Sequence, residues 1–369
     1  MKRLLRDTFL TWTGRHQRPD ELLGIGPRLF GAAAWPLSWV YRAGVGLDWT
    51  FKPRKPFPAH SRQRIAVIAS PLVGGVGKSP LVAQLARRAR ESGQRVAIVT
   101  RGYAAERPTS SPVRVRADGG NIEQVGDEAV MLAQQCGAPV TVARYPELAI
   151  EELGTCDGFD LILLDDGVSR RWEGEHRILV FAATDLDLPV RYLPSGRWRI
   201  PPHFALPAHG IAVIGTLDDV SEAKRQAQAQ RLASWGMDLP TGWYAVHASG
   251  FALLEESGLL KTAVPPQAAT VAFCGLGQPA RFEESLRAAG ITPSAIQRYP
   301  DHHAYCEADI AQLIEVAKGS GASWLVTTHK DAVKIRPEWL RGVPLYILRI
   351  SLELTHGADM LSVILELPE

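Results

Sequence analysis

A glycine-rich segment directly after a short apolar run constrains this chain more than any other feature. It lies between residues 65–69, which read as a buried strand, and residues 80–91, which read as a helix. Its members are Gly74, Gly75, Val76, Gly77, Lys78, Ser79 and Pro80. Backbone N–H groups of such a turn bind phosphate oxygens, and the helix N-terminus adds favourable potential. The segment therefore predicts a phosphate-binding loop.

Two side chains of this loop would carry the chemistry. Lys78 would neutralise phosphate charge, and Ser79 would offer a hydroxyl to Mg²⁺. The strict motif begins with a glycine, and Leu72 stands at that position. A glycine-rich turn with a surface lysine is therefore the alternative interpretation.

Short apolar runs alternate with helical segments along the rest of the chain. Strands are predicted at residues 95–100, 140–143, 161–164, 178–181 and 211–214, and further on at 270–273, 324–328 and 345–350. Strands separated by helices favour parallel pairing. We therefore expect an α/β fold with a doubly wound, mostly parallel sheet.

A pair of carboxylates ends one of these strands, where Asp165, Asp166 and Gly167 follow residues 161–164. The carboxyl end of a buried parallel strand would place them beside the phosphate loop. Adjacent side chains of a strand face opposite ways, so one Asp can contact Mg²⁺ or its water while the other orients a loop. An Asp-Gly turn at a strand end is the alternative.

Two further segments carry acidic and histidine side chains. Asp127 and Glu128 open a predicted helix, where they can cap it or interact with its dipole. The run Pro300-Asp301-His302-His303 contains no partner cluster for zinc, and the four cysteines show no CxxC spacing. A histidine that supports a carboxylate base is the more attractive chemistry, since phosphoryl transfer to a hydroxyl needs a proton acceptor.

Charge and aromatic residues set the N-terminal segment apart. Residues 1–64 hold 12 Lys or Arg against 4 Asp or Glu, whereas the whole chain has a net charge of only +2, which gives no nucleic-acid signature. The apolar residues 29–41 with Trp35, Trp39 and nearby basic groups suit a lipid headgroup boundary. Pro36 argues against one long amphipathic helix, and packing on the main domain is the alternative.

Six short segments occur in the order of a known family. They are Leu72-Val73-Gly74-Gly75-Val76-Gly77-Lys78-Ser79-Pro80, Arg101-Gly102-Tyr103, Gly126-Asp127-Glu128, Asp165-Asp166-Gly167, Tyr299-Pro300-Asp301-His302-His303 and His329-Lys330-Asp331-Ala332-Val333-Lys334. Together they resemble the tetraacyldisaccharide 4′-kinases, membrane-associated P-loop kinases of lipid A biosynthesis. The resemblance runs from the N-terminal segment to about Lys334.

The resemblance implies ATP-dependent phosphorylation of the 4′-hydroxyl of a tetraacylated glucosamine disaccharide 1-phosphate, the lipid A precursor. It implies Asp127 as the base together with a histidine of the Asp-His-His motif, assigned here to His302, with His303 as the other choice. Lys78 would act on the transferring phosphate. ATP and Mg²⁺ would be the cofactors, with the metal held by Ser79, Asp165, Asp166 and Glu128.

The resemblance also implies a P-loop NTPase-like sheet, a smaller C-terminal α/β lobe and an N-terminal membrane-associated helical segment. We expect residues 1–63 to form the interfacial segment, 64–235 the P-loop kinase lobe and 236–369 the C-terminal lobe. The place of action would be the cytoplasmic face of the bacterial inner membrane, on an anionic membrane surface, peripheral or monotopic. No nucleic-acid or protein partner is predicted.

Several positions depart from the family pattern. Ala69-Ser70 replaces Gly-Asn, Ser79 replaces Thr, and residues 168–170 and 197–201 differ where acceptor recognition is expected. Two other functions therefore stay open. One is a kinase for another glycolipid or hydroxyl acceptor, and the other is a catalytically weak nucleotide-binding protein at the membrane.

Overall fold

The structure, a computed structural model, describes residues 25–51, 64–102, 105, 111–118, 121–156, 158–167, 176–205, 209–216 and 220–357. The helices within these ranges are α1 Ile25–Phe51, α2 Lys78–Glu91, α3 Ile122–Val125, α4 Asp127–Cys136, α5 Pro146–Cys156, α6 Ala183–Leu186, α7 Pro202–Ala205, α8 Glu222–Ser234, α9 Pro279–Ala288, α10 Glu307–Gly319 and α11 His329–Ala332. The strands are β1 Arg64–Ala69, β2 Val96–Thr100, β3 Val113–Arg114, β4 Val140–Val142, β5 Leu161–Asp165, β6 His176–Ala182, β7 His209–Thr216, β8 Thr241–Leu254, β9 Leu260–Thr262, β10 Thr270–Cys274, β11 Ala295–Arg298, β12 Trp324–Thr328 and β13 Leu345–His356.

Contacts divide the chain into two compact units. The first comprises Met1–Val99, Ile150–Val246 and Leu352–Glu369, and the second comprises Thr100–Ala149 and His247–Ser351. This division differs from the expected boundary at residue 235, because residues 100–149 join the C-terminal residues. Helix α4 from this stretch packs against α11. Such long-range packing leaves no mark in local composition.

The first unit contains the parallel sheet that the strand pattern predicts. Its strand order is β7, β6, β1, β5, β2, with the start of β8 paired to β7. Strand β1 lies between β5 and β6, and the register pairs Ile68 with Asp165. The interior residues of β1 and β5 are fully buried. The carboxyl ends of β1 and β5 therefore lie side by side, as binding sites of open parallel sheets require.

The second unit is a smaller α/β unit. Strands β11, β10, β12 and β13 pair in parallel in that order, while β3 pairs antiparallel with β4 and the end of β8 with β9. Its apolar core includes Phe273, Tyr305 and Leu313. The predicted α/β class and mostly parallel pairing are confirmed.

Helix α1 runs without interruption through Pro36. The expectation that this proline prevents a long helix is wrong: a proline removes one backbone donor, and the 27 residues of α1 still form one helix. The inner face of α1 packs on the first unit, where the Ser38 hydroxyl donates to Ser195 and the Tyr41 hydroxyl donates to the carbonyl of Arg199 at 3.1 Å. The predicted interfacial residues 1–24 and 52–63 lie outside the described residues, as do residues 168–170 and Tyr103.

The outer face of α1 is apolar and open to solvent. Val40, Leu47 and Phe51 are 69%, 60% and 79% exposed, and Trp35 and Trp39 flank them in edge-to-face contact. None of the helices in the described part of the chain combines the length and the apolar run that a bilayer span requires.

Candidate active site

The glycine-rich segment forms a tight loop between β1 and α2. We call residues 72–79 the phosphate loop. Gly74 and Gly77 have φ angles of 111° and 92°, which L side chains rarely adopt. A Cβ at Gly77 would also collide with the hydroxyl of Tyr244, which donates to the carbonyl of Val76 at 3.1 Å. Both glycines are thus required for the loop to turn into the helix at Lys78.

A second chain segment braces the start of this loop. The Val73 N–H donates to the carbonyl of Arg197 at 2.9 Å, and the Arg197 Nε donates back to the Val73 carbonyl at 3.0 Å. The Arg199 N–H donates to the carbonyl of Pro71 at 2.9 Å. Arg197 also forms a buried ion pair with Asp185. The start of the loop is therefore held by backbone pairing and by the Arg197 guanidinium.

The two carboxylates after β5 have different environments. Asp165 is buried at the strand end, whereas Asp166 lies on the following turn with a φ of 64° and a side chain that is 32% exposed. Lys78 Nζ lies 3.6 Å from Asp166 Oδ1, and Arg199 Nη1 lies 3.1 Å from its Oδ2. Arg199 also donates to the carbonyl of Ser70 at 2.9 Å. Asp166, Lys78 and the loop therefore form one charged surface.

The loop residues suit a nucleotide and a hard cation. Ser79 stands in the first turn of α2, beside Lys78, and offers a hydroxyl oxygen. Mg²⁺ prefers oxygen ligands and commonly combines one or two carboxylates with substrate phosphates. In the part of the chain that the structure describes, no group of three or more His, Cys, Asp or Glu could hold a metal ion. Mg²⁺ that binds together with a nucleotide takes part of its coordination from phosphate and water.

A buried cluster of charged side chains occupies the second unit. We call the following residues the carboxylate cluster: Asp127, Glu128, Asp301, His302, Lys330 and Lys334. Asp127 begins α4 and is 5% exposed. His302 Nδ1 lies 3.1 Å from each of its carboxylate oxygens. The structure therefore brings together the aspartate and the histidine that the family resemblance pairs.

Two lysines complete this cluster. Lys330 Nζ lies 2.9 Å from His302 Nε2, 3.1 Å from Asp301 Oδ1 and 3.5 Å from Glu128 Oε1. Lys334 Nζ lies 3.4 Å from Asp127 Oδ2. Glu128, which the sequence analysis assigned to a metal, thus lies beside an ammonium group of the second unit, and Ser79, Asp165 and Asp166 belong to the first.

The lysines and the histidine keep Asp127 ionised in spite of its burial. Burial alone would raise the pKa of Asp127, but the hydrogen bond with His302 and the charges of Lys330 and Lys334 lower it to about 2. Burial favours the neutral amine of Lys330, but the carboxylates of Glu128, Asp301 and Asp127 raise its pKa above the ordinary value. The cluster is therefore a set of mutually compensated charges.

The remaining histidines of the two motifs have structural contacts. His303 Nε2 lies 3.0 Å from Asp309 Oδ2, and its ring stacks on Tyr299. His329 lies 2.8 Å from Gln134 and 3.1 Å from Gln135, which joins α11 to α4. Burial, with a smaller contribution from Arg349, lowers the pKa of His329 to about 4. His303 therefore supports the start of α10 while His302 contacts Asp127.

Sequence reasoning left three contributors without a role. Lys330 and Lys334 appeared in a quoted motif, but lysines alone do not reveal which carboxylates they face. Arg199 gave no signal, because its target is a carboxylate 33 positions earlier in the chain. The departure at Ser70 has a local explanation, since its hydroxyl accepts from the N–H of Leu72 at 3.2 Å.

Comparison with known proteins supplies the family. A family model described as tetraacyldisaccharide-1-P 4′-kinase matches residues 31–367. The tetraacyldisaccharide 4′-kinase of Anaeromyxobacter dehalogenans strain 2CP-C is 31% identical over 356 residues, which cover 90% of this chain and 89% of the relative. That of Halorhodospira halophila is 32% identical over 309 residues, covering 82% and 83%.

A solved structure shows the same fold. LpxK from Aquifex aeolicus, described as an "apo" form in complex with ATP, superposes with a TM-score of 0.67. The match covers 91% of this chain and 99% of that chain at 20% identity. At this identity the likeness establishes the architecture.

Proposed function

Because the chain belongs to the tetraacyldisaccharide-1-P 4′-kinase family, we propose that it transfers the γ-phosphoryl group of ATP to the 4′-hydroxyl of tetraacyldisaccharide 1-phosphate. The observation that carries this proposal within the chain is the buried Asp127–His302 pair, at 3.1 Å, in a chain that also has the phosphate loop. Nucleotide binding alone does not need such a pair. Transfer to a hydroxyl does.

The phosphate loop is proposed to bind the nucleotide. Backbone N–H groups from Gly74 to Lys78 and the start of α2 would contact phosphate oxygens, and the Lys78 ammonium would balance the charge of the transferred group. Ser79 and Asp166 would hold Mg²⁺, with Asp165 supporting the turn. The cation, when bound, neutralises phosphate charge.

Asp127 is proposed to receive the proton of the acceptor. The acceptor O–H bond breaks as its oxygen bonds to the γ-phosphorus, the bond between the γ-phosphorus and the bridging oxygen breaks, and ADP leaves. The hydroxyl proton moves to the Asp127 carboxylate. His302 holds this carboxylate by its Nδ1, and Lys330 and Lys334 keep it ionised beforehand.

The outer face of α1 is proposed to bind the membrane that contains the acceptor. Val40, Leu47 and Phe51 are exposed apolar side chains of this face, and the Arg42 guanidinium lies 5.3 Å from the ring centre of Trp39. An apolar face with aromatic and basic groups at its border is typical of helices that lie in a bilayer interface. We propose the cytoplasmic face of the inner membrane as its place.

A phosphotransfer assay tests the function directly. The full chain is supplied with MgATP labelled at the γ-phosphate and with tetraacyldisaccharide 1-phosphate in mixed micelles, and the position of the new phosphate is determined. We expect phosphate at the 4′ position and none on an acceptor that already carries a 4′-phosphate. Asp127→Asn should prevent transfer, while Asp118→Asn, an exposed aspartate paired with Arg116, should not.

Two results would contradict the proposal. Transfer to other glycolipids but not to this acceptor would identify a kinase of different specificity, in keeping with the altered residues 197–201. Nucleotide binding without transfer to any hydroxyl would identify a catalytically weak nucleotide-binding protein.

A further inference from the structure

The distances between Asp127 and His302 leave open which ring nitrogen carries the proton. His302 Nδ1 lies 3.1 Å from both oxygens of Asp127, and its Nε2 faces the other way. A neutral imidazole can carry its proton on either nitrogen. Only the form protonated on Nδ1 donates a hydrogen bond to Asp127. What lies at Nε2 therefore decides how the pair works.

Lys330 occupies the position at Nε2. Its Nζ lies 2.9 Å from His302 Nε2, and the side chains of both residues are largely buried. An ammonium group has three N–H donors and no acceptor. Nε2 must therefore accept from Lys330, which leaves the ring proton on Nδ1. A doubly protonated ring would direct an N–H at the ammonium.

The ammonium of Lys330 is itself fixed from other sides. Asp301 Oδ1 accepts from it at 3.1 Å and Glu128 Oε1 lies at 3.5 Å. Asp301 does not replace Lys330 at the ring, because its Oδ1 is 3.9 Å from Nε2, beyond hydrogen-bond distance. The carboxylates of Asp301 and Glu128 thus set the place from which Lys330 donates.

We infer that Lys330 is a positioning residue, which holds His302 in the tautomer protonated on Nδ1 so that the ring donates to Asp127. The inference rests on the proposed function for its catalytic meaning, but the tautomer is a property of the chain itself. It assigns the proton of the acceptor to Asp127, since Nε2 is engaged by the ammonium. His302 orients the carboxylate and keeps one lone pair of it occupied.

Lys334 provides a matched control. Its Nζ lies 3.4 Å from Asp127 and 3.0 Å from Asp331, so Lys334→Met removes a positive charge beside the same carboxylate. Lys330→Met removes the charge together with the donor at Nε2. A change in the His302 tautomer that occurs in Lys330→Met but not in Lys334→Met is therefore caused by loss of the N–H donor and not by loss of a positive charge.

The test is long-range ¹H–¹⁵N correlation spectroscopy of the full chain labelled with ¹⁵N-histidine, in which protonated and unprotonated ring nitrogens separate. The signals of His302 are assigned by their loss in His302→Gln. We expect the Nδ1–H form in the wild-type chain and in Lys334→Met, and a shift toward the Nε2–H form in Lys330→Met. Lys330→Arg, which keeps an N–H donor, should retain the Nδ1–H form.

Kinetics provide the second readout. In Lys330→Met we expect kcat to fall about tenfold or more while KM for ATP stays within about twofold, because only the acceptor proton is affected. Lys330→Arg should recover a large part of kcat.

A proton on Nε2 in the wild-type chain overturns the inference, whether or not the variants fold, and so does an unchanged Nδ1–H form in Lys330→Met. A wild-type chain with the Nδ1–H form but no transfer to the disaccharide refutes the proposed function alone.

Discussion

Beside the phosphate loop and in the carboxylate cluster alike, an aspartate contacts positively charged side chains. The two aspartates differ in their exposure to solvent. Asp166 in the first unit has a side chain that is 32% exposed, and Lys78 and Arg199 contact it at the surface. Asp127 in the second unit is 5% exposed and lies among His302, Lys330 and Lys334. Water screens the first set of charges far more than the second.

This difference separates two kinds of carboxylate. A solvated aspartate can exchange its ammonium or guanidinium partners for a metal ion, because water compensates the charges during the exchange. A buried aspartate cannot lose its partners without leaving a charge uncompensated. We therefore expect the first unit to respond to ligands and to salt, and the second unit to keep its charge arrangement fixed.

Loss of the loop lysine should have the largest effect. Lys78→Ala removes the ammonium that is proposed to balance the charge of the transferred phosphate, and we expect a loss of about 3 kcal/mol or more in transition-state stabilisation. The measurement is kcat/KM for ATP in the micelle assay. Lys318→Ala, on the exposed end of α10, serves as the control and should leave it unchanged. Near-parental activity of Lys78→Ala would contradict a role of the phosphate loop in phosphoryl transfer.

Substitutions of Asp127 and Asp166 should affect different kinetic parameters. Asp127→Asn keeps the side-chain volume and removes the proposed proton acceptor, so kcat should fall about a hundredfold while KM for ATP changes little. Asp166→Asn should instead raise the Mg²⁺ concentration that gives half-maximal rate. The rate of each variant is measured as Mg²⁺ and ATP are titrated. A higher Mg²⁺ requirement in Asp127→Asn would contradict the separate roles of the two aspartates.

Acid should weaken the scaffold of the carboxylate cluster. The folded pKa of His329 is lowered by burial to about 4, whereas an unfolded chain has the ordinary value near 6.5. Between these values the unfolded chain binds the extra proton, so stability is full above about pH 6.5 and falls as the pH drops.

The matching variant is His329→Gln, which can bond to Gln134 and Gln135 without titrating. Between pH 7 and pH 5 the wild-type chain should lose about 2 kcal/mol of unfolding free energy relative to this variant. Urea denaturation at the two pH values measures it. Parallel losses in both chains would show that other groups control the acid response.

The smallest effect concerns the outer face of α1. Replacing Val40, Leu47 and Phe51 by serine removes apolar area from the proposed bilayer contact, so binding to anionic liposomes should fall about tenfold or more. The apparent KM for the acceptor should rise several-fold, and that for ATP should not. The control replaces Leu259 and Val264, which are exposed in the second unit, by serine. Equal loss in both sets would contradict a role specific to α1.

Local patterns predicted the elements of the first unit because each depends on neighbours in sequence. Residues 65–69 and 161–164 are continuous apolar runs, as buried parallel strands are, and the glycines mark the turn by their φ angles. The end of the apolar run also predicted that Asp166 lies at the end of the strand. Its contact with Arg199 did not follow, since a bridge across the fold leaves no periodic signal.

The carboxylate cluster could not be predicted from local sequence, because the fold brings its members together. Its members come from α4, from residues 301–302 and from the segment 330–334, and the family resemblance paired only Asp127 with His302. Lys330 could not be assigned, because its contact with His302 Nε2 joins residues 28 positions apart in the chain. The division between the units at residue 100 was not predicted for a related reason, since packing of α4 on α11 is a contact between distant segments.

The membrane contact proposed for α1 would confine the search for the acceptor to two dimensions. The inner face of α1 is bonded to the first unit through Ser38 and Tyr41, so a membrane bound to the outer face, as proposed, would hold the whole unit. A chain held at the membrane in the proposed way would meet its acceptor by lateral diffusion, and the mole fraction of acceptor among the lipids would then set the rate. Adding inert phospholipid at constant total acceptor should therefore slow turnover, whereas ATP continues to arrive from bulk water at its ordinary concentration.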